Sequence, residues 1–447
     1  MNSLAKSFRT GWSALAWLFV ATSLYEGYLI IPGLSNHSIF SLLARAFLLL
    51  APAGALLAIA RGARRGLVPL AILTAWLIVV GLTYLLVSPH QYYEQYYVWS
   101  QLGGYLLVLS LWVLGRHGAW LKAVVMGALP LYLLATIALS LYEVATAHHL
   151  AQSREGGLHP THIPTAFYYD PNNLGVAIAL LLPFVVLATM AVPKRWMAAV
   201  SGLFALLLLY VLYATGSRGG ELALVIDLIV LAFVLPRPYR RYAQVSLAVV
   251  AVLLAGAILV LQAIPTSHLP FALQKISHIA HLTRFLHPTG PSSVGIRKAL
   301  YESGWQGLLT HPWGMGPRGA ERYFQYWLTH HSPYNTYGVI DAHNMWLEVA
   351  MDFGFEGIAL YVAFYVLLIR SAIRLLSATD RFPQYLGSAS LAALIGFILG
   401  SLSPSSVMIG YNVMWVVYGI VLGGLGTLDN PSDPHPEGRY QFRGRLW

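Results

Sequence analysis

Long, almost uncharged apolar runs recur from near residue 12 to near residue 427, and that recurrence decides what this chain can become. Each run is about the 20 residues a helix needs to cross the hydrocarbon core of a bilayer. The strands of an outer-membrane barrel would instead alternate apolar and polar residues. Only 10% of the residues are Asp, Glu, Lys or Arg, while 57% are hydrophobic; a soluble domain carries about 25% charged residues. The expected fold is an all-α polytopic membrane protein. A soluble enzyme, a nucleic-acid binder and an outer-membrane barrel are excluded. Cysteine is absent, which also excludes disulfides, thiol catalysis and Cys-ligated metals.

Segmentation gives twelve spans, at 12–32, 38–60, 67–87, 98–115, 119–143, 173–192, 196–214, 220–235, 243–264, 345–370, 384–402 and 405–427. The first lacks a small-residue cleavage site and is read as a retained helix. With the N-terminus inside, 18 of the 27 Lys and Arg residues fall on the inner side, in clusters such as Arg61, Arg64, Arg65 and Arg237, Arg240, Arg241. Eight fall outside, and Arg45 lies within the second span. Basic residues mark cytoplasmic loops, so both termini are expected in the cytoplasm. The net charge of +10 then reflects membrane orientation and not a polyanion partner.

The chain divides into residues 1–264 with spans one to nine, a large outer loop at 265–342, spans ten to twelve within 343–428, and a tail at 429–447. A structureless loop of that length is improbable. Residues 294–309 read as a helix in which Ile296, Leu300, Trp305, Leu308 and Leu309 share a broad apolar face.

Several outer-side residues have the chemistry of a site. Asp341 suits an N-cap for a helix beginning at Ala342, which would place His343 in the first turn. There the positive helix end disfavours imidazolium and leaves a ring able to take a proton at neutral pH. A polar anchor at the membrane interface is the plainer role for the same ring. Thr215 to Gly220 offers three glycines, a helix N-terminus and Arg218, which together fit a phosphate; a tight hairpin with a snorkelling arginine fits equally. Arg297 sits on the helix of the large loop, ahead of a Gly-Pro turn that ends at Arg318, and the two read as a lid. Arg45 within a span marks a cavity unless Glu26 or Asp227 pairs with it. Asp352 and Glu356, one turn apart, read as a solvated interfacial pair.

Fourteen of the 16 histidines lie on the outer side. His148 with His149, or His278 with His281, could begin a metal site, but zinc wants three or four converging ligands and acids are few nearby. No metal and no cofactor are expected.

In this order, the segments resemble the O-antigen ligase and polymerase family of bacterial membrane glycosyltransferases. The resemblance lies in His343-Asn344 with Leu347 and Gly354 to Gly357, in Gly295-x-Arg297 followed by His311-Pro312-x-Gly314-x-Gly316, in Ser217-Arg218-Gly219, and in Pro171-Asn172-Asn173-Leu174. It departs at Pro317-Arg318-Gly319, where the family often carries Gly-Asn-Phe-like residues. The resemblance implies a fold like that of the superfamily C membrane glycosyltransferases, with about twelve helices and a large, partly helical periplasmic loop. It also implies transfer of a glycan from undecaprenyl diphosphate on the periplasmic face of the bacterial inner membrane.

Two chemical demands follow from such a donor. The charge growing on a diphosphate leaving group must be neutralised, which suits arginine, and the attacking hydroxyl must lose its proton, which suits a neutral histidine. The chain contains no Asp-x-Asp, so a metal-independent transfer is expected, and in-line displacement by the acceptor should invert the anomeric centre. His343 is the expected base, Arg218 and Arg297 the diphosphate ligands, and Arg45, Arg154 and Arg318 further substrate contacts. One dominant outer loop favours a ligase that attaches the glycan to lipid A core oligosaccharide over a polymerase of O-antigen or exopolysaccharide. A transporter for a lipid or sugar is the alternative from another class; it would show two halves with matching broken helices, and no such symmetry is visible. Membrane lipids are expected partners and nucleic acid is not.

Overall fold

A computed structural model describes residues 2–25, 38–89, 91–157, 160–192, 194–235, 293–330, 338–404 and 411–428, with residue 28 and a few positions between 240 and 252. The elements among these residues are helices. They are α1 Asn2–Ser23, α2 Ile39–Ala60, α3 Leu67–Val87, α4 Tyr92–Gly115, α5 Gly118–Thr146, α6 Pro171–Ala191 and α7 Arg195–Thr215. Then follow α8 Arg218–Val234, α9 Ser293–Thr310, α10 Gly319–Thr329, α11 Met345–Leu376, α12 Arg381–Gly400 and α13 Asn412–Thr427. Eight of them, α2 to α7 with α11 and α12, are long and apolar enough to cross a membrane.

Helices α1, α8 and α13 occupy the places expected for the first, eighth and twelfth spans. Helix α1 starts well before residue 12, because a helix needs no apolar side chains to form and the turns bearing Lys6 and Arg9 simply extend it. Residue 405 was the expected start of the last span; α13 begins at Asn412, and 405–410 lie outside the described residues. So do most of the ninth span, the stretch 265–292 with His278 and His281, Glu26, and the tail 429–447.

Burial divides the helices into two groups. Helices α2, α3 and α7 turn most of their apolar side chains outward, as Leu49, Leu56, Ile78, Leu86 and Leu206 show. A bilayer is the solvent that such faces require. Helices α4, α6, α12 and α13 are largely enclosed. Where α4 runs along α13, Gly104 lies under the Trp415 indole and Gly115 meets the Gly423 backbone, the small-residue contact by which membrane helices approach closely. Helix α8 packs against both α6 and α12.

The helix expected at 294–309 is present as α9, but its buried face differs from the expected one. Leu300 and Leu308 are buried, whereas Trp305 and Leu309 are exposed. Gly304 and Gly307 take the inner positions, against Leu347, Met351 and Tyr323, so α9 approaches its neighbours through small residues. Helix α10 has no counterpart in the sequence reading. Its Ala320 and Phe324, one turn apart, join Leu300, Met315, Ala342 and Met351 in a second, small apolar core. Together α9 and α10 form a module seated on the first turns of α11.

A backbone strap locks that module down. Helix α11 breaks at Gly354, whose φ of 70° and ψ of −170° are non-helical, and the break exposes backbone groups that need partners. Residues 312–316 supply them. The amides of Met315 and Gly316 donate to the carbonyls of Met351 and Asp352 at 3.0 and 2.9 Å, and the Phe355 amide donates to the Pro312 carbonyl at 2.9 Å. A Cβ on Gly354 would strike Pro312 and Trp313 backbone, and one on Gly314 would lie 2.5 Å from the Asp352 carbonyl. Gly354→Ala combines that clash with a left-handed φ and is expected to cost about 2 kcal/mol or more. A drop in the midpoint of thermal unfolding of the detergent-solubilised protein checks it; an unchanged midpoint would show that the strap carries little of the stability.

Candidate active site

Asn344, not Asp341, caps α11: its side-chain oxygen accepts from the Trp346 and Leu347 amides at 3.0 and 3.2 Å. Asp341 lies too far back because His343 adopts a left-handed φ of 47°, which ends any continuation of the helix toward Ala342. His343 therefore stands just outside the helix and not in its first turn. Non-glycine residues in this conformation are uncommon and cluster at functional positions.

The turn after α12 fixes the ring. His343 Nδ1 lies 3.3 Å from the Ser403 carbonyl. A carbonyl can only accept, so Nδ1 carries the proton and Nε2 holds the lone pair. Burial holds the imidazole below its ordinary pKa; Asp341 opposes the shift, Arg297 adds to it, and the Ser403 carbonyl and Asp170 oppose it. Neutrality thus comes chiefly from desolvation, not from the helix dipole that the sequence suggested.

Ser403 also holds the first of the two arginines. Arg297 reaches across from α9, and its Nη2 donates to Ser403 Oγ at 3.2 Å. Burial lowers the Arg297 pKa, Tyr301 counteracts this, and the neighbouring charge of Arg218 lowers it again. Arg218 is the exposed first residue of α8, whose N-cap Ser217 accepts from the Gly220 amide. Gly219 packs so tightly on Ser403 that a Cβ would overlap the serine. One serine thus gathers His343, Arg297 and the start of α8. The charges of Arg218 and Arg297 repel each other, and an anion bound between them would offset that cost.

On its other side His343 lines a cleft of about 660 Å³ with Tyr92, Tyr93, Tyr169, Arg154, Arg318 and Asp341, well within the size range of ligand sites. Arg154 pairs with Asp170 at 2.7 Å. The Asp170 carboxylate also caps α6 by accepting from the Asn172 amide at 2.7 Å. Arg318, left-handed at φ 57°, pairs with Glu321 and lies 4.8 Å from the centre of the Tyr93 ring. Arg45 projects from the exposed face of α2 and is not part of the cleft wall. Its suggested partner Asp227 is buried, with both carboxylate oxygens lacking a hydrogen-bond partner among the described residues.

One further sequence reading is corrected. Asp352 is fully buried and accepts from the Arg318 and Ala320 amides at 3.1 and 2.8 Å, while Glu356 is exposed; they are not a solvated pair. The helix break at Gly354 separates them. Of the paired histidines, His149 is held by Thr165 Oγ1 at 3.2 Å, the Thr161 carbonyl at 3.1 Å and Glu143 at 3.5 Å. Sequence reasoning missed Ser403, Tyr93 and the Arg322–Glu94 pair, which ties α10 to α4 at 2.8 Å. For Ser403 a signal existed in the Ser-Leu-Ser-Pro that follows an apolar run, a pattern that ends a helix with polar groups at a membrane interface.

The stretch that supplies Arg218, Arg297, Arg318 and His343 matches a known family model, that of the O-antigen ligase. The match covers residues 203–362. The matched stretch runs from within α7 into α11, so Ser403 and Arg154 stand outside it. The chain is also 24% identical over 304 residues to the teichuronic acid biosynthesis protein TuaE of Bacillus subtilis (strain 168), an alignment that covers 67% of this chain. The aligned region spans 60% of that relative's length.

Proposed function

We propose that the protein acts in cell-surface polysaccharide synthesis as an inverting, metal-independent oligosaccharide transferase. In this reading it is an O-antigen ligase. The donor is a glycan on undecaprenyl diphosphate, and the acceptor is a sugar hydroxyl of lipid A core oligosaccharide. The convergence of Arg297, His343 and the start of α8 on Ser403 supports the reading, because a neutral imidazole then lies near the Arg297 guanidinium, which in turn feels the charge of Arg218.

His343 Nε2 takes the acceptor proton as the acceptor oxygen bonds to the anomeric carbon. The anomeric C–O bond to the diphosphate breaks, and its electron pair leaves with the carrier. Arg218 and Arg297 stabilise that charge through forked hydrogen bonds. Attack opposite the leaving group inverts the anomeric centre. Arg154 and Arg318, already paired with acids, bind the glycan in the cleft. The reaction takes place on the periplasmic side of the inner membrane, with both termini cytoplasmic.

A strain lacking the protein tests the assignment through its lipopolysaccharide profile. Core without O-antigen, with polymer accumulating on the carrier, is the expected result. Core bearing a single repeat would identify a polymerase instead, a second reading kept in view by a relative named for teichuronic acid biosynthesis. Purified protein should also transfer at an unchanged rate in excess EDTA; inhibition reversed by a divalent cation would overturn metal independence.

A further inference from the structure

A second hollow, of about 800 Å³, lies between α9 and α10 and extends to Val87 at the end of α3. It is separate in its lining from the His343 cleft, although the two meet at the start of α10: Arg318 lines the cleft, and its neighbour Gly319 lines the hollow. The wall formed by α10 is aromatic, made of Tyr323, Tyr326 and Trp327. Opposite, α9 contributes the exposed amide of Gln306 and the hydroxyl of Thr310.

One detail sets this hollow apart from a gap left by packing. The Trp327 indole N–H is buried and has no hydrogen-bond partner among the described residues. Buried donors are normally satisfied, and leaving one unmade costs about 1–3 kcal/mol. Tryptophan at such a position favours a ligand that offers both an apolar face and an acceptor oxygen. Tyr326, 53% exposed, is stacked on His330 with ring centres 3.9 Å apart, which holds the ring in place before any ligand arrives.

We propose that this hollow is a saccharide-binding subsite, which takes one or more sugar rings of a substrate glycan and holds them on α10 beside the His343 cleft. A pyranose ring has C–H faces that pack on aromatic rings and hydroxyls that accept from an indole N–H and an amide. An anionic group is disfavoured, since the cation in this wall, Arg322, is already paired with Glu94 and bonded to the Pro317 and Met315 carbonyls. The site would read sugars well away from the new bond and so set glycan specificity or length. That role rests on the transferase reading; the binding itself does not.

The test uses the full-length protein in lipid nanodiscs and phosphate-free, size-fractionated fragments of the producing cell's own surface glycan. Saturation-transfer NMR and tryptophan fluorescence report binding without requiring turnover. Trp327→Phe, Tyr326→Ala and Gln306→Ala are each expected to weaken fragment binding 10-fold or more, while Leu309→Ala, exposed on α9 outside the hollow, leaves it unchanged. Gln306 is exposed, so that variant keeps the test valid if an aromatic substitution disturbs folding.

Fragment binding that is insensitive to all three substitutions, or no binding at all, would overturn the proposal even if the protein proves an active transferase. Displacement of the fragments by added phospholipid would also overturn it, by assigning the hollow to an acyl chain. Sensitive binding in a protein that shows no transfer would leave the subsite standing and remove the transferase reading instead.

Discussion

His343→Ala is expected to lower glycan transfer by about 10²- to 10⁴-fold, the range that a positioned general base contributes, while the protein still inserts and still binds its lipid carrier. The expectation follows from how the ring is held. The Ser403 carbonyl fixes the proton on Nδ1, and burial keeps the imidazole neutral. A pH profile separates a base from an anchor. Because the folded pKa lies below the ordinary value of 6.5, transfer will be flat through neutral pH, persist somewhat below 6.5, and fall only when further acidification protonates Nε2. The acidic limb will disappear in His343→Ala, whose residual activity is set by groups that do not titrate there. His343→Gln keeps a hydrogen-bonding side chain but cannot take the proton, so it will be as slow as the alanine variant. Near-normal transfer in either variant would leave His343 a polar anchor at the membrane edge.

What the sequence disclosed, and what it hid, divides along physical lines. Solvent-scale properties were legible: apolar runs announced the spans, and α2 to α7, α11 and α12 follow them closely. Local conformation at the site was not. Asp341 and Asn344 are both good caps, and the left-handed turn at His343 that decides between them is set by the approach of Ser403. Contacts of that kind join residues far apart in the chain and leave no periodic trace. Helix α9 was visible through its apolar spacing, yet its inner face was misjudged because Gly304 and Gly307 pack inward, and glycine carries no hydropathy signal. Helix α10 was hidden for the opposite reason. Its aromatic and charged residues read as loop until the fold buries Ala320 and Phe324 beneath it.

Arg297→Lys is expected to cost about 100-fold in kcat/KM for the lipid-linked donor, with a much smaller effect on the acceptor's KM. Charge is conserved in this change; geometry is not. Arginine presents a planar fork, so Arg297 can keep one N–H on Ser403 Oγ, at 3.2 Å, and direct others at a diphosphate. Lysine is a single flexible point charge that must choose. Losing one charge-assisted hydrogen bond accounts for about 1.5–3 kcal/mol, or roughly 10- to 150-fold at 1.4 kcal/mol per decade, and the effect is largest where charge grows in the transition state. Arg218→Lys at the start of α8 will act in the same direction. The double variant will lose less than the product of the two single effects if both side chains clamp one diphosphate, because groups that share a partner are coupled. Ser403→Ala gives the internal control. It removes the anchor of Arg297 but leaves the carbonyl that orients His343, so donor kcat/KM will fall while the acidic limb of the pH profile stays in place. Lysine variants with normal donor kinetics would detach both arginines from the diphosphate and return the glycine-flanked turn at Arg218 to a purely structural role.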